Sequence, residues 1–187
     1  MQWRNSEARW GLVAQSLHWL VALGVIGLAV VGLLMQELSI SPTKVKIYAL
    51  HKSVGLTVLA LVVLRLAWRL FDARPPYPAG MPAWQRRLAS LTHGLLYGLL
   101  LAMPITGWLY NSASNFALRW FGLFSVPSIS APDPELKALA QDLHTWGFYL
   151  LAALFAVHLG AALKHHLVDR DATLTRMLPF AGRKETP

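Results

Sequence analysis

Two histidines fourteen residues apart, His144 and His158, sit inside one apolar run. At about 100° per residue that spacing returns both rings to within about 40° of one helix face, and at about 1.5 Å per residue it separates them by about 21 Å. Three further imidazoles, His18, His51 and His93, lie within or at the ends of other apolar runs. A single neutral histidine bonded to a neighbouring helix is an ordinary structural feature, but an ionisable group in hydrocarbon is costly and marks function by default. Five such groups on four runs point to metal or redox chemistry.

The residue inventory narrows that chemistry. The chain has no cysteine, which removes disulfides, thiolate zinc sites, cysteine-ligated iron–sulfur clusters and covalent haem attachment through Cys-x-x-Cys-His. Zinc needs about four ligands at one point, whereas these histidines are spread in depth. An ion transporter or proton relay calls for carboxylates within the membrane, and the apolar runs hold almost none beyond Asp142 at one edge. No Gly-rich nucleotide motif accompanies them, which argues against NADH or flavin chemistry within this chain. Iron in a non-covalent haem, held by two imidazoles from different helices with a flat slot between them, needs only what is present.

The elements that must position these rings are four apolar stretches, about Val13 to Met35, Ile47 to Phe71, Leu88 to Tyr110 and Leu143 to Leu167. Each is long enough for about 30 Å of hydrocarbon. Breaker chemistry separates them: Ser39 to Thr43, Arg74 to Pro82, and Ser125 to Pro134. The expected fold is all-α, an integral membrane four-helix bundle forming one domain over residues 1–187. The first run continues too far, with no small-x-small site close behind, to read as a cleaved signal peptide. The tail from Pro179 to Pro187 reads as a polar, mobile extension.

A net charge of +8 invites a nucleic-acid reading, but the basic residues flank apolar runs and so point to lipid headgroups. Of the 17 Lys and Arg, twelve fall at the amino terminus, the second loop and the carboxyl tail, among them Arg65, Arg69, Arg86, Arg87, Arg183 and Lys184. Lys44, Lys46, Lys52, Arg119 and Lys137 fall on the other side. This bias predicts both termini in the cytoplasm. Trp3, Trp10, Trp68, Trp84, Trp108 and Trp120 fall where an interfacial belt would put them.

With that topology His18 and His158 come to an inner level and His51 and His144 to an outer one, each level offering two imidazoles from different helices. Gly24, Gly27, Gly55, Gly147 and Gly160 lie near these positions. They would let a planar ring approach the backbone, or simply let helices pack. Residues 117–124 are apolar and aromatic but too short to span. They are expected either in the outer interface over the bundle ends or packed on the helices for stability. Arg65 and Arg69 would snorkel to headgroups or pair with haem propionates.

Several segments carry a family resemblance: Ser-Leu-His-Trp ending at Trp19, His-Lys-Ser-Val-Gly ending at Gly55, and Met-Pro-Ile-Thr-Gly ending at Gly107. His-Thr-Trp-Gly beginning at His144, His158, and Lys-His-His ending at His166 complete the set. Together, from about Trp10 to Pro179, they resemble the bacterial cytochrome b561 family, and within it the diheme superoxide oxidases of the inner membrane. The resemblance implies two haem b, with His18 and His158 on the inner iron and His51 and His144 on the outer one. It also implies ubiquinone near the inner haem, which draws attention to Ser16, His93 and His165. A core histidine bonded to its neighbour remains the other reading of His93, and solvated residues at a helix end that of His165 and His166.

Three functions stay open. One is an oxidoreductase that takes electrons from superoxide outside, steered by Lys52 and Arg119, and reduces ubiquinone inside. Another is a membrane-anchored electron carrier serving a partner dehydrogenase, hydrogenase or soluble cytochrome. The last is a transporter or structural protein without haem. Lipid, quinone and superoxide or a redox protein are the expected partners, and nucleic acid is not.

Overall fold

The computed structural model describes residues 2–78 and 80–179. Four helices dominate it: α1 (Leu12–Glu37), α2 (Pro42–Phe71), α3 (Ala83–Ala113) and α4 (Pro134–Leu167). A small antiparallel hairpin, β1 (Leu118–Trp120) and β2 (Phe124–Val126), lies between α3 and α4. Every helix contains an 18-residue window of mean hydropathy between 1.6 and 2.4. Large apolar side chains such as Leu23, Leu34, Leu64, Leu91 and Leu150 are exposed along their flanks. Apolar flanks on hydrogen-bonded helices are what a lipid solvent selects, and the molecule is an all-α membrane four-helix bundle.

All four helices extend beyond the apolar runs that announce them. Ser41 Oγ accepts from Lys44 N at 3.2 Å with Pro42 in the first turn, which starts α2 five residues ahead of Ile47. Asp133 Oδ1 accepts from Glu135 N and Leu136 N at 2.9 and 3.0 Å with Pro134 in the first turn. These caps satisfy donors that would otherwise be orphaned, and the helices begin in polar sequence. At 34 residues α4 is about 51 Å long, well beyond a hydrocarbon core.

Packing divides the bundle into two hairpins. α1 lies on α2 and α3 on α4, with α2 against α3 joining the halves, while α1 and α4 barely approach. Val21, Val58 and Val62 form the buried centre, closed by Val25, Leu28, Tyr97 and Leu100. The α1–α2 seam is tight because Gly24 has no side chain. A Cβ there would stand 2.7 Å from Val58 Cγ2.

One end gathers the segment before α1 and the segment after α4. Asn5 N and Arg4 Nε donate to Asp72, at 2.8 and 3.3 Å. Desolvation works against ionisation of Asp72, but the Asn5 N–H and the Arg4 guanidinium outweigh it and hold the carboxyl below the usual carboxylate range. The segment after α4 returns across this end. Arg176 O accepts from Gln15 Nε2 at 3.0 Å, Met177 O from Trp19 Nε1 at 2.9 Å, and Leu178 O from Arg9 Nη2 at 2.9 Å. Arg176 Nη1 in turn donates to Pro76 O at 2.9 Å. Residues 180–187, including Arg183, Lys184 and the rest of the polar tail, lie outside the described residues.

At the opposite end the aromatic loop is the hairpin, turned through Phe121 and Gly122 at φ 46° and 75°. It packs on α2: Phe121 N donates to Ser53 Oγ at 2.9 Å and Trp120 Nε1 to Thr57 Oγ1 at 3.1 Å. These bonds hold the loop against α2.

Candidate functional site

Two pairs of imidazoles face each other across the gap left by the helix packing. At the termini end, His18 of α1 and His158 of α4 have ring centres 6.3 Å apart. At the hairpin end, His51 of α2 and His144 of α4 have theirs 6.4 Å apart. All four rings are half-buried. Two metal–imidazole bonds of about 2 Å, with about 1.2 Å from each nitrogen to its ring centre, span about 6.4 Å when collinear. Both centre-to-centre distances match that span, and among the described residues no third imidazole or carboxylate is grouped with the hairpin-end pair. The hairpin-end donor set, two imidazoles alone, fits a haem and does not fit four-coordinate zinc.

A groove of about 220 Å³ runs along His51, lined by Leu23, Gly24, Gly27, Leu28 and Val31 of α1 with Leu50 and Val54 of α2. A Cβ on Gly27, Gly55 or Gly160 would meet open space, so these positions border room rather than a packed helix. Gly24 and Gly147 act otherwise: a Cβ on either would stand 2.7 Å from a side chain of a neighbouring helix, Val58 Cγ2 and Met103 Sδ respectively. Two glycines that spacing did not single out touch the rings themselves. A Cβ on Gly32 would lie 3.4 Å from His51 Cε1, and one on Gly107 3.2 Å from His144 Cε1.

Orientation of the rings comes from backbone and hydroxyl groups. His144 Nδ1 lies 3.0 Å from Met103 O and 3.1 Å from Thr106 Oγ1. Met103 O can only accept, so Nδ1 carries the proton and Nε2 is left with its lone pair for a metal. His51 Nδ1, by contrast, is buried and has no hydrogen-bond partner among the described residues. At the termini end Arg65 Nη1 is 2.8 Å from His18 Nδ1. Its guanidinium and that of Arg69 lie over the Tyr97 ring at 5.6 and 5.5 Å. Arg65 points inward, onto the His18 imidazole.

The remaining expected site residues divide. His93 of α3 joins the termini-end pair, its ring centre 5.2 Å from that of His158. Ser16 is exposed on α1. His165 lies beyond them, its Nδ1 bonded to Asp171 Oδ2 at 2.8 Å and 3.0 Å from Asp169 Oδ2. Desolvation opposes ionisation of Asp171, yet bonds from Thr173 and His165 prevail and its carboxyl stays below the usual range. Lys52 of α2 and Arg119 of β1 lie on elements that pack together, with no bond between them among the described residues. Lys52 Nζ donates to Asn111 Oδ1 at 2.9 Å, while the neighbouring Ser53 Oγ lies 3.4 Å from Arg119 O. Arg119 is exposed.

Comparison with known proteins agrees with this geometry. A family model described as prokaryotic cytochrome b561 matches residues 9–180. The chain is 36% identical over 180 residues to cytochrome b561 homolog 2 of Escherichia coli K12, covering 95% of each chain. It is 35% identical over 171 residues to cytochrome b561 homolog 1 of the same organism, covering 87% of this chain and 93% of that one. It is 29% identical over 165 residues to a protein named probable superoxide oxidase CybB of Yersinia pestis, covering 87% and 92%. With four membrane helices, imidazoles opposed at two depths and a match along nearly its whole length, the chain belongs to the prokaryotic cytochrome b561 family, membrane electron-transfer proteins with b-type haem.

Proposed function

We propose that the chain holds two b haems and carries electrons across the bacterial inner membrane, from superoxide at the hairpin end to ubiquinone at the termini end. One observation carries this reading: two opposed imidazole pairs, 6.3 and 6.4 Å between ring centres, in one bundle. His18 and His158 would hold one haem, His51 and His144 the other. A bound haem supplies a one-electron site inside hydrocarbon. Everything else is done by the chain. Met103 O and Thr106 fix the tautomer of His144, Gly32 and Gly107 leave the hairpin-end rings room, and α4 carries one ligand of each pair along a single stripe.

The Lys and Arg bias supports cytoplasmic termini and a periplasmic hairpin. Lys52 and Arg119 would then attract a small anion to the outer face. Two superoxide ions give up two electrons and leave two molecules of dioxygen. A quinone takes the two electrons with two protons, and His93, beside His158, is suited to bond a carbonyl oxygen and hand over a proton.

Purified protein should contain two haems per chain, both extractable with acid acetone, and should couple superoxide loss to quinol formation. His93→Ala should slow quinol formation with haem content unchanged. One haem or none in a folded preparation, or no superoxide consumption, would count against the reading.

A second reading, an electron carrier docked to a partner redox protein, has its own support: the Lys52 ammonium is engaged by Asn111 rather than displayed. Haems that accept electrons from a partner protein but not from superoxide would favour it.

A further inference from the structure

The hairpin end carries a cation whose place is fixed and whose charge is left uncompensated. Lys52 Nζ donates to Asn111 Oδ1 at 2.9 Å, and Asn111 is buried, 3% exposed. The amide has one way round. Asn111 Nδ2 donates to Phe116 O at 2.7 Å, and Phe116 N donates back to Asn111 O at 3.1 Å. A carbonyl can only accept, so Nδ2 must face Phe116 and Oδ1 must face Lys52. The strap from α3 to β1 thereby holds the amide, and the amide holds the ammonium.

A partly buried lysine is ordinarily balanced by a carboxylate. Among the described residues neither Lys52 nor Arg119 forms an ion pair with one. Asn111 is neutral, so its bond fixes the Lys52 ammonium without cancelling it. That bond is the ammonium's one hydrogen bond among the described residues, which leaves two of its three donors for a ligand. Donors on a full positive charge, half withdrawn from water, suit a small anion that accepts hydrogen bonds. Arg119 is exposed and reaches such an anion through its field.

We propose that Asn111 is a positioning residue, which holds the Lys52 ammonium as the docking group for superoxide at the hairpin end, while Arg119 attracts the anion from a distance. The proposal rests on the superoxide reading and assigns its binding contact. Docked there, superoxide gives one electron to the hairpin-end haem and leaves as dioxygen, with no proton taken or released. Dioxygen carries no charge, so the contact that holds the substrate does not hold the product.

The test is haem reduction by pulsed superoxide in the purified holoprotein over a range of ionic strength, with haem content measured on each sample. Asn111→Leu keeps every charge but frees Lys52. Its second-order rate should fall about tenfold, the worth of one hydrogen bond to a charged group, at every salt concentration and with the wild-type salt dependence retained. Lys52→Gln should fall as far, and adding Asn111→Leu to it should change little, because the two act through one contact. Arg119→Gln should be slower than wild type at low salt and converge with it at about 1 M, where the Debye length is about 3 Å. Wild-type haem that superoxide does not reduce counts against the superoxide reading itself. With that reduction in place, an Asn111→Leu rate equal to wild type, or an undiminished further loss in the Lys52→Gln background, overturns the role of Asn111. Should Asn111→Leu fail to load haem, Asn111→Asp decides, because its carboxylate cancels the ammonium in place. A rate still below wild type at about 1 M salt is then expected, and convergence with wild type overturns the proposal. Haem loss from both Asn111 variants makes the residue structural only and overturns it as well.

Discussion

Single side chains make the two pairs separable, because no residue serves both. His158→Ala should lower the haem-to-protein ratio from about two to about one and remove the termini-end haem, and His144→Ala should do the same at the hairpin end. Loss of both haems from either folded variant would show the pairing to be wrong, and haem absorbance against protein concentration measures it. The rings were readable from sequence because a spacing of fourteen on one helix is a geometric statement in itself. Their supports were not. Met103 acts through a backbone carbonyl, and Gly32 and Gly107 act through a missing Cβ, so neither leaves a side-chain signal. Arg65 was visible as a basic residue, but only the fold sets it against His18 rather than at the lipid surface.

Helices and hairpin differ in how far hydropathy reaches. Runs of apolar residues locate all four helices, since backbone groups in lipid must be satisfied within the segment. The runs miss the polar first turns of α2 and α4, where Ser41, Asp133 and the following prolines set the start. The β-hairpin was not readable, because its turn depends on positive φ at Phe121 and on bonds to Ser53, partners 68 residues apart. Glycines give the element-scale prediction. Gly107→Val should push the His144 ring away and lower retention of the hairpin-end haem alone. Gly24→Leu should wedge α1 from α2 and cost about 1–3 kcal/mol of stability, read as a lower Tm with both sites affected. Equal effects of the two substitutions on both haems would contradict the division between ring-contact and helix-seam glycines.

For the whole molecule, the asymmetry of charge sets an expected dependence on salt. Haem reduction by pulsed superoxide should be fast, should slow as ionic strength shrinks the Debye length below about 10 Å, and should weaken when Lys52 and Arg119 are both neutralised. Rates indifferent to salt and to those charges would favour the partner-protein reading. The return of the segment after α4 to Gln15, Trp19 and Pro76 carries a consequence for biogenesis. A ribosome makes α1 first and α4 last of the four helices, yet each imidazole pair needs α4. The nascent chain therefore enters the membrane with His18 and His51 each lacking its opposite ring, and stitching of the termini end must wait until residue 178 has emerged. Cofactor loading is then a late event, governed by translation and insertion rather than by the order in which the sites lie along the electron path. A chain arrested before residue 143 should integrate three helices and acquire no stable haem.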